Sequence, residues 1–539
     1  MSAADTAVTL QAPRPRPARP ALAAVLESLR RAAPALAVYA AVRLTATGCM
    51  AVWAWHIGKH PRTLLGHSWD AVWYAGIARD GYDPASPSPG RALSDLAFFP
   101  LFPGLARAVA TVTPLGTVSA GLVVAWIAAG AAAWGIHAVG RLLYGDRAAV
   151  CLVALWALLP HGIVQSMAYT EPVLTALAAW ALYALLTGRW LWAGSLALLA
   201  GVCRPNGIAV AAAVCCCAAA TALGPVAARR RRAGPRHRAS APRAGTWRTA
   251  VWRTEARRTV PAARGTTGTC ATAGTGAAAG TGEEITRPDI ARPADTGPGD
   301  PGPENAETRD AGPAGAGPEG TGPRHPGEPG TEERGTTERD TGPEAGGGAP
   351  GPAGATRAPA GPGTAGPPGA ERRPSRRRIW CAAVLAPLGW LGYIGWVGLR
   401  RGGPLGYFRV QAEWGSHFDF GRDTLMSVRH LLTGRDVLAD YMTLAVLGAA
   451  LVLLALLVLD RPPAALLVYT LVLVVIAYGG ANYFASKPRF LLPAFPLLIP
   501  AALAMARARP RTVVVTTVAL TGLCSLYGTY LLTVAPVPL

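Results

Sequence analysis

Charged residues are scarce in this chain of 539 residues: they make up 15% of it, whereas hydrophobic residues make up 51%. The charge that exists gathers in the N-terminal tail, in residues 225–378, and in short segments between apolar runs. Those runs are close to the length of about 20 residues that crosses a bilayer as a helix. The composition therefore argues against an ordinary soluble domain and predicts an all-α integral membrane protein.

Several motifs with a known chemistry are also absent. The chain has no GxxxxGK[ST] phosphate loop, no HExxH and no GxSxG, so nothing favours a nucleotide-driven or serine-hydrolase mechanism. Its nine cysteines include no CxxC pair and no Cys/His group with zinc spacing. We expect no structural disulfide, no zinc site and no required cofactor, and we leave open the use of a divalent metal ion.

Lysine is nearly absent, since Lys59 and Lys487 are the only two among 51 basic residues. The arginines give a net charge of +20, but they flank apolar runs, as arginines of cytoplasmic loops do. No nucleic-acid-binding motif accompanies them. We therefore expect membrane lipids, and not nucleic acid, as the partner of this charge.

The apolar runs predict a polytopic bundle of about eleven transmembrane helices. They lie at 33–55, 118–139, 148–168, 172–187, 190–203, 206–223, 379–399, 438–459, 462–479, 490–506 and 512–533. Residues 96–112 contain two prolines and are predicted to form a re-entrant or interfacial helix.

Four regions follow from these runs. They are a disordered cytoplasmic tail (1–32), an N-terminal transmembrane catalytic half (33–224), a disordered cytoplasmic linker (225–378) and a C-terminal transmembrane half (379–539). The linker is rich in Gly, Pro, Ala and Thr, so it can bury too little apolar surface to fold.

The placement of arginine predicts the orientation in the cell membrane. Arg30 and Arg31, with the arginines of the tail, would hold the N-terminus in the cytoplasm. Alternation from there puts the segments that carry the candidate chemical residues outside, and these are 56–95, 169–171, 204–206, 400–437 and 480–489.

Asp70 is the first candidate catalytic residue. It lies in the stretch HSWDAVWYAGIARDGYD, just after the first apolar run. It could cap a helix that begins at Ala71, or it could act as a general base on an acceptor hydroxyl. Helical spacing puts Asp70, Trp73 and Ile77 on one side.

The same stretch supplies candidate substrate-binding residues. Aromatic rings favour the membrane interface and also pack against sugar rings. The predicted substrate-binding residues are Trp69, Trp73, Tyr74 and Arg79. Asp80 and Asp83 are lesser candidates for the base.

Glu171 and Arg204 are polar residues at the outer ends of apolar runs. Glu171 precedes Pro172, which is typical of a helix start; alternatively, Glu171 is a second acid that orients the acceptor or helps to bind a divalent ion. Arg204 and Asn206 flank Pro205 in what could be a plain polar turn. On the outer face, however, an arginine opposes the positive-inside bias and suits a lipid phosphate.

Lys487 and Arg489 repeat this pattern in the C-terminal half, within ANYFASKPRFLLPAFPLL. Two cations on the predicted outer side could snorkel to lipid headgroups. The alternative is that they bind the phosphate of the sugar donor, together with Arg204 and Asn206.

Four stretches occur in a set order: WDAVWYAGIARDGYD at 69–83, AFFPLFPGLAR at 97–107, YTEPVLTALAAWALY at 169–183 and AGVCRPNGI at 200–208. Together they resemble the PIG-V family, the mannosyltransferases that add the second mannose to glycosylphosphatidylinositol precursors, and its bacterial relatives. KPRFLLPAFPL at 487–497 matches more loosely. The insert of 154 residues at 225–378 and Pro172 depart from the family pattern.

The resemblance implies a GT-C-type fold, a polyprenyl-phosphate sugar as donor, and a site on the non-cytoplasmic face. It also implies that Asp70 is the acidic residue of the first outer loop, Glu171 the second acid, and Arg204 with Asn206 the R-x-N element. The hypothesis is transfer of a mannosyl or similar hexosyl residue to a hydroxyl of a glycolipid or glycoprotein. The alternatives are a secondary transporter or lipid-linked sugar flippase, and a non-catalytic scaffold.

Overall fold

The computed structural model of the chain describes residues 21–82, 93–233, 375–434 and 436–535. Within these ranges the regular structure is helical, without a strand, and one isolated antiparallel bridge pairs Phe418 with Gly480. The predicted all-α class is therefore confirmed for the described residues. The predicted disorder of most of the tail and of the linker at 234–374 lies outside the described residues, as does Asp83.

Nine helices lie in the described part of the chain before residue 234. They are α1 (Ala21–His56), α2 (Pro61–Gly66), α3 (Asp70–Asp80), α4 (Leu101–Val112), α5 (Thr117–Tyr144), α6 (Asp146–Ala157), α7 (Glu171–Leu186), α8 (Trp190–Cys203) and α9 (Ile208–Ala233).

Eight more helices lie in the described part after residue 374. They are α10 (Arg376–Arg400), α11 (Gly406–Glu413), α12 (Arg422–Thr433), α13 (Leu438–Leu459), α14 (Ala464–Gly479), α15 (Lys487–Leu491), α16 (Ile499–Arg507) and α17 (Pro510–Thr533).

Six of the described helices are long and apolar enough to cross a membrane, namely α1, α5, α9, α10, α13 and α17. A seventh span results if the bent pair Phe484–Leu491 and Phe495–Arg507 is counted as one. Helices α4, α7, α8 and α14 are apolar but shorter. These features are those of a polytopic helical membrane protein, and the count of eleven stays a prediction.

Several helices extend beyond their predicted ends, and α1 and α9 do so by the most residues. Helix α1 begins at Ala21 and not near residue 33, and α9 continues to Ala233, into the predicted linker. Both extensions are rich in Ala and Arg, which favour helix. In α1, the ion pair between Glu27 and Arg31, at 2.7 Å and one turn apart, adds to this preference.

Two apolar runs that were predicted as single spans are broken. Helix α6 ends at Ala157, and a 3-10 turn, Gly162–Ser166, follows. The run at 490–506 is bent by 79° between its two helical parts. Proline causes both breaks, because Pro160 and Pro493 lack the N–H that a continuous helix needs and disfavour helix in the preceding residue.

The broken segment after α6 is buried among other helices. Arg43 of α1 reaches it, with Nη2 3.1 Å from Ser166 Oγ and Nη1 3.4 Å from the Ala157 carbonyl oxygen. At membrane depth, irregular backbone is tolerated where protein buries it and satisfies its polar groups. Because of the break, residues 161–170 lie buried inside the bundle, and α7 begins at Glu171 directly after them.

Helices from the two halves pack on one another. Helix α10 packs on α8 and α9, α14 packs on α9, and α17 packs on α1. The described parts of both halves belong to one compact unit. Charged side chains from distant parts of the chain can therefore meet.

Gly389 is a point of close contact between α8 and α10. A Cβ at this position would overlap the carbonyl oxygen of Leu198. We expect Gly389→Ala to destabilise the protein by about 1–3 kcal/mol, because overpacking of backbone against backbone has no low-energy relief. Thermal unfolding of the purified protein in detergent measures this loss.

Gly395 offers a matched control in the same helix. A Cβ there would meet nothing within 4 Å, so Gly395→Ala should be neutral or slightly stabilising, since alanine favours helix. Equal stabilities of the two variants would contradict the close packing of α8 on α10.

Candidate active site

Four charged side chains meet at one place in the bundle: Asp70, Glu171, Arg204 and Arg489. Asp70 Oδ2 lies 2.7 Å from Arg489 Nη1. Glu171 Oε1 lies 3.8 Å from Arg489 Nε and forms an ion pair with Arg204 Nη1. Negatively and positively charged side chains therefore alternate in the cluster, and Arg489 lies between the two carboxylates.

The four side chains differ in exposure, and this defines an outer and an inner part of the cluster. The side chain of Asp70 is 20% exposed, whereas that of Glu171 is 1% exposed. Solvent can therefore reach Asp70, while the buried Glu171 pairs with both arginines. An incoming anion would meet guanidinium groups that are already oriented by carboxylates.

Asp70 is the first residue of α3 and does not cap it. Trp69 precedes the helix with φ of 50°, a conformation that is uncommon for a residue with a side chain. Because the turn at Trp69 starts the helix at Asp70, the carboxylate faces Arg489. The capping interpretation of Asp70 is therefore wrong, and such strained backbone is often found at functional sites.

Thr170 connects the inner part of the cluster. Its Oγ1 accepts a hydrogen bond of 3.0 Å from Arg204 Nη1 and lies 3.4 Å from Glu171 Oε2. The Tyr74 hydroxyl lies 3.4 Å from the same Oγ1. Burial, aided by the charge of Asp70, raises the pKa of Tyr74, so its hydroxyl stays protonated and can donate to Thr170.

Arg204 is set by a tight turn at the end of α8. The 3-10 turn Pro205–Gly207 follows it, and a Cβ at Gly207 would overlap the carbonyl oxygen of Ala200. Only glycine fits there, which explains the glycine of the RPNG sequence in physical terms. Asn206 is buried beside Arg204, and its Nδ2 has no hydrogen-bond partner among the described residues.

Aromatic rings support the two guanidinium groups. Arg204 lies 5.2 Å and Arg489 lies 5.3 Å from the centre of the Phe490 ring, and Arg489 lies 5.4 Å from the ring of Tyr169. Such cation–π contacts hold the guanidinium plane and strengthen where water is excluded.

The side chain of Lys487 makes its contacts away from the four charged side chains of the cluster. Its side chain is buried, and Nζ donates hydrogen bonds to the carbonyl oxygens of Gly480 and Ala477, at the end of α14. A cation there also interacts favourably with the C-terminal end of that helix. The contacts of Lys487 are those of a helix cap, and its predicted role at the donor phosphate stays a prediction.

Trp73 belongs to an aromatic wall beside Asp70. Its ring stacks on Phe98, with ring centres 5.7 Å apart, and meets the edge of Trp414 at 5.0 Å. Tyr74 is only 5% exposed and turns its ring into the core, whereas Trp69 and Trp73 are half-buried. The tryptophans, and not Tyr74, therefore have faces that a substrate could reach.

Arg79 lies apart from the cluster. It is exposed and pairs with Asp80 at 2.8 Å, near the end of α3. It is nine positions after Asp70 in the helix, which corresponds to about 13 Å along the axis. Its predicted contact with substrate would require a ligand that extends along α3.

An apolar groove of about 280 Å³ lies beside α15, the helix that carries Arg489. It lies between α13 and the segment that carries Arg489, and Pro488 and Leu491 form part of its wall. Met442 and Val446 of α13 line the opposite side. The groove therefore begins at residues that neighbour Arg489 in the chain and continues along an apolar helix.

Several contributors were not foreseen from the sequence, namely Tyr169, Thr170 and Phe490. The first two belong to the YTEP stretch and Phe490 to the KPRF stretch, so their proximity to charged residues was the only available signal. Trp414 lies in the outer segment 400–437, which the sequence predicts to carry candidate residues, but its place beside Trp73 depends on how α11 packs.

The arrangement has a definite chemical capacity. One reachable carboxylate can accept a proton, and two fixed guanidinium groups can stabilise an anion such as a phosphate. Among the described residues, no group of three or more His, Cys, Asp or Glu side chains could hold a metal ion. Comparison of the chain with protein-family models, with curated proteins and with solved structures finds no match, so the resemblance to the PIG-V family stays a prediction.

Proposed function

We propose that the chain is a membrane glycosyltransferase of the GT-C type, related to the PIG-V family. It would transfer a mannosyl or similar hexosyl residue from a polyprenyl-phosphate donor to a hydroxyl of a glycolipid or glycoprotein. The observation that carries the proposal is the convergence of Asp70, Glu171, Arg204 and Arg489 from four separate segments. Three of these residues lie in the stretches that resemble the family.

The proposed reaction uses the two parts of the cluster separately. The acceptor oxygen forms a bond to the anomeric carbon while the bond from that carbon to the phosphate oxygen breaks. Asp70 accepts the hydroxyl proton, as a general base. The phosphate leaves with the electron pair of the broken bond, and Arg489 and Arg204 stabilise its charge.

The apolar groove supports a lipid-linked donor. A phosphate beside Arg489 would bring the attached chain to Pro488 and Leu491, at the wall of the groove. Helix α13 has the highest hydropathy of the six candidate spans, and only 22% of its apolar window is buried. A polyprenyl chain could therefore enter sideways from the bilayer, and its burial would contribute to donor affinity.

The proposed orientation follows the arginines. One pocket near the beginning of α1 is lined by Arg30, Arg31, Arg141 and Arg147. Asp70 of the charged cluster comes after the other end of α1 in the chain. Cytoplasmic loops carry the excess of arginine. The cluster would then face the outside of the cell membrane.

A transfer assay tests the proposal. Membranes that contain the protein are supplied with radiolabelled polyprenyl-phosphate mannose, and label in lipid or protein products is measured. A second donor with a short isoprenoid chain measures the use of the groove. We expect Val446→Trp to raise the KM for the long-chain donor about tenfold, equal to about 1.4 kcal/mol, and to leave the short-chain donor unaffected.

Val452→Trp is the matched control, because Val452 lies on the same helix, is 61% exposed and is not part of the groove. It should leave both KM values unchanged. Label that crosses the membrane without entering a product would contradict the transferase and favour a carrier. Equal effects of the two tryptophans would remove the groove from donor binding.

A further inference from the structure

A second charged site lies near the beginning of α1, far from the candidate active site. It is a pocket of about 690 Å³ between α1, the end of α5 and the start of α6. Arg30 in its wall is 26 residues before His56, which corresponds to about 39 Å of helix. The pocket is therefore independent of the chemistry proposed for Asp70.

Arginines dominate the pocket: four of them and a single carboxylate line it. Two are compensated within the protein. Arg31 Nε lies 2.7 Å from Glu27 Oε1, and Arg141 Nε lies 2.6 Å from Asp146 Oδ1. These pairs hold the sides of the pocket in place without adding net charge.

The other two arginines leave the pocket positive. Arg30 and Arg147 form no ion pair with any described residue. Arg147 Nη2 donates a hydrogen bond of 2.8 Å to the Ala508 carbonyl oxygen, which orients the side chain but leaves its charge unbalanced. A pocket with two uncompensated guanidinium groups attracts an anion.

His137 adds an independent observation. It lines the pocket, is only 2% exposed, and its Nε2 has no hydrogen-bond partner among the described residues. A buried polar atom without a partner costs free energy, and a ligand that supplies a partner would remove that cost. An imidazole N–H can donate to a phosphate oxygen.

An apolar stripe indicates the source of that phosphate. Leu22, Val25, Leu26 and Leu29 follow helical spacing and are between 40% and 69% exposed. They lie on α1 within the two turns before Arg30. A soluble phosphate ester would gain nothing from this surface, whereas acyl chains would bury it.

We propose that this pocket binds the phosphate of an anionic membrane lipid. Arg30 and Arg147 neutralise the charge, His137 donates a hydrogen bond, and the stripe from Leu22 to Leu29 contacts the acyl chains. Basic pockets between transmembrane helices commonly serve anionic lipid headgroups.

Lipid titration of the full-length protein in a neutral detergent tests this site. Short-chain phosphatidylglycerol, phosphatidylcholine of the same chain length, and glycerol 3-phosphate are added, and bound lipid is counted by native mass spectrometry. We expect phosphatidylglycerol to bind in preference to the other two. Arg30→Gln with Arg147→Gln should weaken that binding about 25-fold, or about fivefold for each arginine.

Two further variants make the result decisive. Arg107→Gln removes an exposed arginine of α4 that lies outside the pocket, and it should leave binding unchanged. If the double variant does not fold, Arg30→Gln alone carries the test, because Arg30 makes no ion pair with a described residue that the change would break.

Three results would overturn the proposal. Equal binding of phosphatidylglycerol and phosphatidylcholine would mean that charge does not select the lipid. Displacement by glycerol 3-phosphate at the same concentration would assign the pocket to a soluble phosphate ester. An equal loss in Arg107→Gln would reduce the effect to general surface charge.

Discussion

Replacing Asp70 by asparagine is expected to lower sugar transfer at least about a hundredfold, because a general base contributes roughly 10²–10⁴ to a rate. Asparagine keeps the size of the side chain but cannot accept the proton of the attacking hydroxyl. The rate of product formation at saturating donor measures the change. We expect kcat to fall while KM for the donor changes little, since the lost interaction belongs to the transition state.

Asp80→Asn is the matched control for this loss. Asp80 lies on the same helix and is exposed, and its partner is Arg79. That change should leave the rate within about twofold, as a surface ion pair contributes little. Transfer by Asp70→Asn at the rate of the unaltered protein, with normal folding, would remove Asp70 from the mechanism.

Asp70→Glu separates chemistry from position. Glutamate restores a carboxylate but moves it by one methylene, so part of the rate should return if Asp70 accepts a proton. If Asp70 only positions Arg489, the loss should appear chiefly in KM for the donor. The three variants together therefore distinguish a base from a positioning residue.

The sequence was informative where a charged residue lies at the end of an apolar run or in the short segment that follows it. Asp70, Glu171 and Arg204 were identified in this way, because ionisable groups at membrane depth are costly and need a purpose. The structure brings these three residues together with Arg489, as two acids and two arginines, whereas Lys487 makes its contacts elsewhere. Helix boundaries inside the bundle were also largely foreseen from hydrophobic length.

The pairing of these residues was not available from the sequence. That Arg489 lies between Asp70 and Glu171 depends on the bend after Leu491 and on the re-entry of the chain before Glu171. Both are breaks within apolar runs that looked continuous by composition. Lys487 shows the same limit, since its carbonyl partners at Ala477 and Gly480 belong to the end of another helix.

Loss of Arg489 is expected to affect stability as well as activity. Arg489→Gln would leave Asp70 without its ion-pair partner and Glu171 with Arg204 alone. Removing one partner of a buried charge pair typically costs about 3–5 kcal/mol. We therefore expect a clearly lower unfolding temperature in detergent, together with loss of transfer, because a cation for the departing phosphate is missing.

Arg401→Gln is the control for this change in stability. Arg401 lies 3.6 Å from Glu413 in a more exposed ion pair, and its loss should cost at most about 1 kcal/mol. Similar unfolding temperatures for Arg489→Gln and Arg401→Gln would contradict the tight coupling of the charged cluster.

The double variant Asp70→Asn with Arg489→Gln separates the two roles of the pair. It removes both charges, so no isolated charge remains, and much of the lost stability should return as a coupling energy of roughly 0.5–3 kcal/mol. Transfer should stay absent, because base and cation are both gone. A double variant as unstable as the sum of its single variants would mean that the two side chains do not interact, whereas recovered transfer would mean that the cluster stabilises the bundle without taking part in the chemistry.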